Sequence, residues 1–280
     1  MKKDITIGGF TFRCDNDVEV ARAKTMFTKE EGTVRWLQSE LRPGDVFYDV
    51  GANIGLYTVL AGSLVGPTGR VYAFEPHVAN AAHLLRNVAA NNLNERVTVI
   101  TAALNNSVGW LDFNYTSALP GSSGSQLGHT RAESGETFVP KCTELKWATT
   151  IDRLLADRSI QFPDVIKIDV DGNELAVLKG ITGSAQTMLV FGHGCSPRSI
   201  QVEVHPQDME AIANHMIGRG YRLAERHWTA IGKRRIAKGE PAKTIVHNAI
   251  YRRVSTNGQQ DSCRQAGQEA GADRSQGQAR

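Results

Sequence analysis

Asp49, Glu75, Asp169 and Glu203 each stand at or near the end of a short apolar run: "VFYDV" (46–50), "RVYAFE" (70–75), "VIKIDV" (165–170) and "SIQVEV" (199–204). Runs of this length, rich in Val and Ile and bounded by turn residues, read as strands. A carboxylate at a strand end can accept hydrogen bonds from hydroxyls, take a proton or pair with a cation. The first run leads into "DVGANIG", where Gly51, Ala52, Asn53 and Gly55 precede an apolar helical pattern. Small residues there let a ligand approach the backbone amides at the start of a helix. Glu75, followed by Pro76, ends the second run 20 residues after Gly55. An acid at that place can accept from both hydroxyls of a ribose. Together these residues describe a site for an adenosine moiety. The alternative is a plain strand–helix turn with a surface Glu.

The spacing separates the candidate cofactors. A dinucleotide fingerprint reads G-x-G-x-x-G, and its last glycine makes room for helix packing beside a pyrophosphate. Here the order is Gly51-x-Asn53-x-Gly55, with Asp49 two residues ahead. Asp49 would repel a pyrophosphate and suits a cationic ligand, directly or by ordering the loop. S-adenosylmethionine fits, having an adenosine, an ammonium and a sulfonium but no phosphate.

A second group of residues could act on an acceptor. "IDVDGNE" holds Asp169 and Asp171, "VIKIDV" holds Lys167, and "VEVHP" holds Glu203 and His205. Methyl transfer to a hydroxyl is an in-line displacement governed by alignment, and the hydroxyl must also lose its proton. His205 titrates near neutral pH and is a natural proton acceptor; alternatively it fixes the turn before Pro206. Asp171 can serve catalysis or can form a turn with Gly172 and cap a helix starting near Asn173. Lys167 is unusual in a strand buried on both faces. It either forms an ion pair or acts as a base or orienting group. No dense ligand motif is present and no metal is assigned, the alternative being an ion held by Asp169, Glu203 and His205.

These residues need a scaffold, and the rest of the chain describes one. Further strand-like runs are "RVTVIT" (96–101) and "VHNAIYRRV" (246–254), the latter read as a late strand closing the sheet. Ala81, Leu84, Leu85 and Val88 form one apolar helix face, and "DMEAIANHMIGRG" (208–220) is a helix with a Gly stop. Strand–helix alternation gives an α/β fold with a mostly parallel sheet covered on both faces. In such a sheet, ligands bind beyond the carboxyl ends of the strands, where the acids fall.

Residues 104–163 interrupt the alternation. "VGWLDFNYTS" (108–117) and "ETFVPKCTEL" (136–145) read as paired strands around a Gly/Ser-rich connection, a region expected to contribute to the acceptor site. "GKRRIAKGEPAK" (232–243) reads as a solvated basic loop, although it could bind an anionic acceptor. From Ser255 onward the chain has no aromatic residue and no Leu, Ile or Val, which is the composition of a disordered tail. We expect a single domain over 1–254, with 1–45 as a lead-in.

Composition narrows the class. The chain has 280 residues and a net charge of +3, which offers no broad basic face for nucleic acid. The cysteines lie at 14, 142, 195 and 263, without a CxxC pair, as suits a reducing compartment. There is no signal-peptide run and no stretch of about 18 apolar residues. The expected location is the cytoplasm.

Four ordered blocks, "DVGANIGLYT" (49–58), "AFEP" (73–76), "IKIDVDGNELAVLKG" (166–180) and "VEVHP" (202–206), resemble the FkbM family of S-adenosylmethionine-dependent methyltransferases. "GSSGSQLG" and "TTIDRLL" add to the likeness. Asn173 and Asp171 depart from it, standing where the family commonly has His and often has Glu. The resemblance implies the class I methyltransferase (Rossmann-like) fold, with a mostly parallel seven-stranded sheet and helices on both faces. It also implies O-methylation of a hydroxyl on a glycan, a sugar-containing molecule or another secondary metabolite. Two other readings stay open: a ribose O-methyltransferase acting on nucleic acid, and a non-catalytic cofactor-binding protein of the same fold.

Overall fold

A computed structural model describes residues 3–132, 135–181 and 196–254. The expected tail, 255–280, lies outside the described residues. The chain opens with a hairpin, β1 (Lys3–Ile7) and β2 (Phe10–Cys14), then α1 (Asp17–Lys24) and α2 (Glu31–Glu40). Next come β3 (Val46–Val50), α3 (Leu56–Leu64), β4 (Arg70–Phe74), α4 (Val78–Ala90) and β5 (Val97–Ile100). The interrupting region forms β6 (Ala103–Leu104), β7 (Gly109–Tyr115), β8 (Gln126–Leu127) and β9 (Cys142–Thr149). Then follow α5 (Ile151–Ala156), β10 (Val165–Ile168), α6 (Glu174–Lys179) and β11 (Ser199–Val204). The last elements are α7 (Met209–Gly218), β12 (Tyr221–His227), α8 (Ala230–Ala237) and β13 (His247–Arg253).

The central sheet has seven strands in the order β12-β13-β11-β10-β3-β4-β5. From β5 to β11 the pairings are parallel, and β13 runs antiparallel to both its neighbours. The chain moves outward from β3 to β5 and returns to build the other half from β10, so the order reverses between β3 and β10. Alternation along the strands supplies a core on each face. Phe47, Val71 and Val165 pack under the hairpin, α2, α3 and α4. Tyr48, Ile166 and Val202 pack with residues of α5, α6 and α7. Strand β10 is buried throughout, Lys167 included.

The structure corrects several expectations. Leu85 on α4 is 55% exposed, while Asn87 and His83 are turned inward. Asn87 is buried because its side chain serves backbone groups, accepting from Arg13 N–H at 2.8 Å and donating to the Ile54 carbonyl at 2.8 Å. The strand near 246–254 does not close the sheet; it lies between β11 and β12, and β12 is the edge. Part of the basic run is helix α8, capped by the Thr229 side chain on Gly232 N–H. The partner of β7 begins at Cys142, not at Glu136. Among the described residues no helix is long and apolar enough to cross a membrane.

Candidate active site

The turn after β3 is shaped by positive φ angles at Gly51 (80°), Asn53 (51°) and Gly55 (89°). At Gly51 no side chain fits, since a Cβ would lie 1.7 Å from the Asp169 carbonyl oxygen. Gly51 and Ala52 donate their N–H groups to the Phe74 carbonyl at 2.9 and 3.1 Å. Asn53 N–H donates to Glu75 Oε2 at 2.6 Å, and His77 N–H donates to Oε1 at 2.8 Å. Glu75 therefore stitches the turn to the end of β4. Burial pushes its carboxyl up to about 7, although those two amides pull the other way.

Asp49 does not face a ligand directly. It is fully buried, accepts from the Thr58 hydroxyl at 2.6 Å and lies 3.6 Å from Lys167 Nζ. These contacts lie beneath the turn, and Asp49 lines neither of the spaces that the turn borders. Lys167 Nζ is also 3.1 Å from Asp169 Oδ2. Burial opposes the ammonium charge, yet Asp169 and Asp49 together hold the Lys167 pKa above its ordinary value. Burial of Asp169 is likewise outweighed by Lys167, which keeps its carboxyl below the usual range. The geometry is that of an ion pair, with the Lys167 ammonium between two carboxylates.

Asp171, at φ 57°, accepts from Gly124 N–H at 2.7 Å through its carboxylate, and its carbonyl accepts from Gln126 Nε2 at 2.5 Å. It ties the Gly/Ser connection to the end of β10. It does not cap α6. Glu174 takes that place from inside the first turn, accepting from Val170 N–H at 2.9 Å and Gly172 N–H at 3.1 Å. Burial raises the Glu174 carboxyl to about 7. His205 Nε2 lies 3.2 Å from Glu203 Oε2. Burial, then the charge of Asp169, pushes the Glu203 carboxyl well up.

A cavity of about 260 Å³ joins these parts, running from Glu75, Pro76 and His77 past Gly51 and Asn53 to Asp169, Asp171 and Glu203. A pocket of about 50 Å³ adjoins it at Gly51, Asn53 and Asp169 and reaches Ala52, Tyr57 and Lys167. His205 is buried behind Glu203. The connection after β7 roofs the cavity: Ser122 O accepts from Asn53 Nδ2 at 2.9 Å and from Asn80 Nδ2 at 3.0 Å.

Several wall residues escape sequence reasoning. Arg22 and Lys29 border both spaces from the lead-in, with Arg22 Nε donating to the Gly121 carbonyl at 2.5 Å. Helix periodicity says nothing of which cavity such residues reach. Glu174 does carry a signal, being three residues after Asp171 in the acid spacing of a helix start.

The residues fit S-adenosylmethionine. Each Glu75 oxygen has one backbone donor, which leaves acceptor capacity for ribose hydroxyls. Gly51 keeps the cavity floor free of side-chain bulk, and Asp169 brings a carboxylate near a cationic ligand. Strand order, the reversal between β3 and β10, and the acid at the end of β4 define a class I S-adenosylmethionine-dependent methyltransferase. Residues 49–223 match the family model described as the methyltransferase FkbM domain, and the chain belongs to that family.

Among curated proteins, hexuronic acid methyltransferase AglP of Haloferax volcanii is 27% identical over 159 residues, covering 57% of this chain and 59% of that protein. The 31-O-demethyl-FK506 methyltransferase FkbM of Streptomyces tacrolimicus is 27% identical over 239 residues, covering 77% and 84% respectively. The chain thus spans about three fifths of the AglP relative and most of the FkbM relative. A solved structure of methyltransferase FkbM from Methylobacillus flagellatus KT is 18% identical, with a TM-score of 0.46, covering 85% of this chain and 55% of that one.

Proposed function

We propose that the protein transfers a methyl group from S-adenosylmethionine to a hydroxyl of a sugar-containing or other secondary-metabolite acceptor. The observation that carries this reading is the joining of Glu75, at one end of a single cavity, to Asp169 and Glu203 at the other. The names of two relatives, one for a hexuronic acid and one for a 31-O-demethyl compound, support an oxygen acceptor.

When bound, S-adenosylmethionine supplies a methyl group already activated on a sulfonium. The chain supplies the alignment and the acid–base chemistry. Glu75 holds the ribose hydroxyls, and the Gly51–Asn53 turn forms the floor. Lys167, kept charged, fixes the direction of Asp169. Asp169 and Glu203 flank the place of the acceptor hydroxyl, and Asp169 takes up its proton. His205 sets the rotamer of Glu203 from behind. Asp171 holds the Gly/Ser connection over the acceptor, which supports residues 104–163 as part of that site. Residues 1–254 act as one unit in this reading. The free thiols Cys14 and Cys142 support a reducing, cytoplasmic setting.

Calorimetry and a methyl-transfer assay test the reading together. S-adenosylmethionine should bind and NAD should not; tight NAD binding would sink the proposal. Glu75→Ala should weaken cofactor binding by about 1.5–3 kcal/mol, the scale for hydrogen bonds to a charged group. Asp169→Asn should lower the transfer rate by about 10²–10⁴ with cofactor affinity nearly unchanged.

A further inference from the structure

We infer that Glu174, Glu203 and His205, joined by the side-chain oxygen of Asn248, form a binding site for a divalent cation, with Mn²⁺ the best match. Each of the three offers a donor atom, and these atoms all lie within 4.8 Å of one another. Ligands gathered on one ion at bond lengths of about 2.0–2.6 Å stand at most about 4–5 Å apart, so this spread is compatible with a single ion. Glu174 and His205 are buried, and Glu203 opens onto the cavity, so an ion held there would face the acceptor. Carboxylate and amide oxygens suit Mg²⁺ and Mn²⁺, and the imidazole, a ligand of transition metals, favours Mn²⁺ over Mg²⁺ in that pair.

Two independent observations point to an ion rather than a local hydrogen-bond cluster. The first is charge. Asp169, Glu174 and Glu203 converge at the ends of β10 and β11, while Lys167 is already engaged by Asp49 and Asp169. Crowded, buried carboxylates need a proton or a cation. The second is Asn248, which is 4% exposed and whose Oδ1 has no hydrogen-bond partner among the described residues. Asn248 sits directly opposite Glu203 in the β11–β13 register, so both side chains lie on the same face of the sheet. A buried amide oxygen normally has a partner. Protons on the carboxylates and the His205–Glu203 hydrogen bond would meet the first feature alone and leave Asn248 Oδ1 unmatched; an ion accounts for both.

The ion's part in catalysis rests on the methyl-transfer reading, whereas the site itself does not. An acceptor hydroxyl that reaches the ion is acidified. Its O–H bond breaks and the proton passes to Asp169. The oxygen forms the new bond to the methyl carbon, and the carbon–sulfur bond breaks with its electron pair left on sulfur.

The test uses the full chain, stripped by chelator and returned to chelator-free buffer. Mn²⁺ is titrated in by calorimetry and by the loss of the free-ion paramagnetic resonance signal, with no acceptor present. We expect one ion per chain, with binding weakened at least tenfold in both His205→Ala and the near-isosteric Glu203→Gln. Asn248→Ala should weaken it several-fold. Thermal melts identify any variant that fails to fold, and Glu203→Gln, which keeps shape and volume, then carries the test. No saturable binding, or equal binding in folded Glu203→Gln, overturns the site. For the catalytic role, methyl transfer should fall at least tenfold on chelation and return with Mn²⁺; an unchanged rate in stripped enzyme overturns that role. Mn²⁺ bound at these residues, with no methyl passed to any acceptor, upholds the site and counts against the methyl-transfer reading alone.

Discussion

Lys167 shows how far a single residue can be read. Its oddity in an apolar strand is plain from the sequence, but its partners are not. Asp49 lies opposite it in the β3–β10 register, and Asp169 follows two residues later on the same face. Only the pairing of two strands distant in sequence brings the three together. Replacing Lys167 by Met should leave the carboxylates without their cation and cost about 3–5 kcal/mol. Adding Asp49→Asn should recover much of that loss, so chemical denaturation of the double variant should show strong non-additivity; simple additivity would mean the residues do not act as one group.

Glu75 gives a pH signature. A carboxyl raised by burial from 4.5 to about 7 binds its proton more tightly when folded. Its stabilising contribution is fully present below the ordinary value and is lost as pH rises through about 7. The swing is about 3 kcal/mol. Melting of the ligand-free protein should therefore show a fall between pH 5 and 8 that is flattened in Glu75→Gln. An identical fall in that variant would assign it to other groups.

At the scale of elements, the parallel strands were legible because each is a short apolar run between turn residues, and β11 agrees end to end with its run. β9 was displaced because its alternation is out of phase with burial. Leu145 and Trp147 are exposed, while Lys146 between them is buried and paired with Glu144. An apolar-in rule therefore points to the wrong segment. β12, "YRLAERH", is an exposed edge strand and carries too little hydrophobic pattern to announce itself. Asp171 was legible as a turn residue, but the clasp it makes on Gly124 and Gln126 joins loops far apart in the chain. Gln126→Leu should loosen that clasp, raising the KM for the acceptor several-fold with cofactor affinity unchanged. Equal losses for both ligands would place the clasp in the floor instead.

Over the whole molecule, the site is assembled from more of the chain than its motifs suggest. The acids at the strand ends mark one edge of the sheet, and that much follows from alternation and from the rule that ligands gather at strand carboxyl ends. The lead-in, read only as a run before the first strand, brings Arg22 and Lys29 to the cavity wall. Nothing in local propensity carries such information, because it depends on how the hairpin and α1 pack against α4. Asn87 and Asn91 fix that packing by bonding the backbone of β2 at Arg13 and Thr11.

The chain between Tyr115 and Gln126 meets the rest of the protein through side-chain tethers that include Asn16 on Pro120, His77 on Ser117, Asn53 and Asn80 on Ser122, Arg22 and Asn80 on Gly121, and Asp171 on Gly124. The floor beneath it is braced by contacts of its own, such as the Gly51 approach to Asp169 and the Glu75 bonds to the Asn53 and His77 amides, while the side chains of the same Asn53 and His77 reach up to Ser122 and Ser117. On the proposed reading, re-cutting these ten residues should change which acceptors are methylated more than it changes the affinity for the methyl donor, and a transfer assay beside calorimetry would read the two apart.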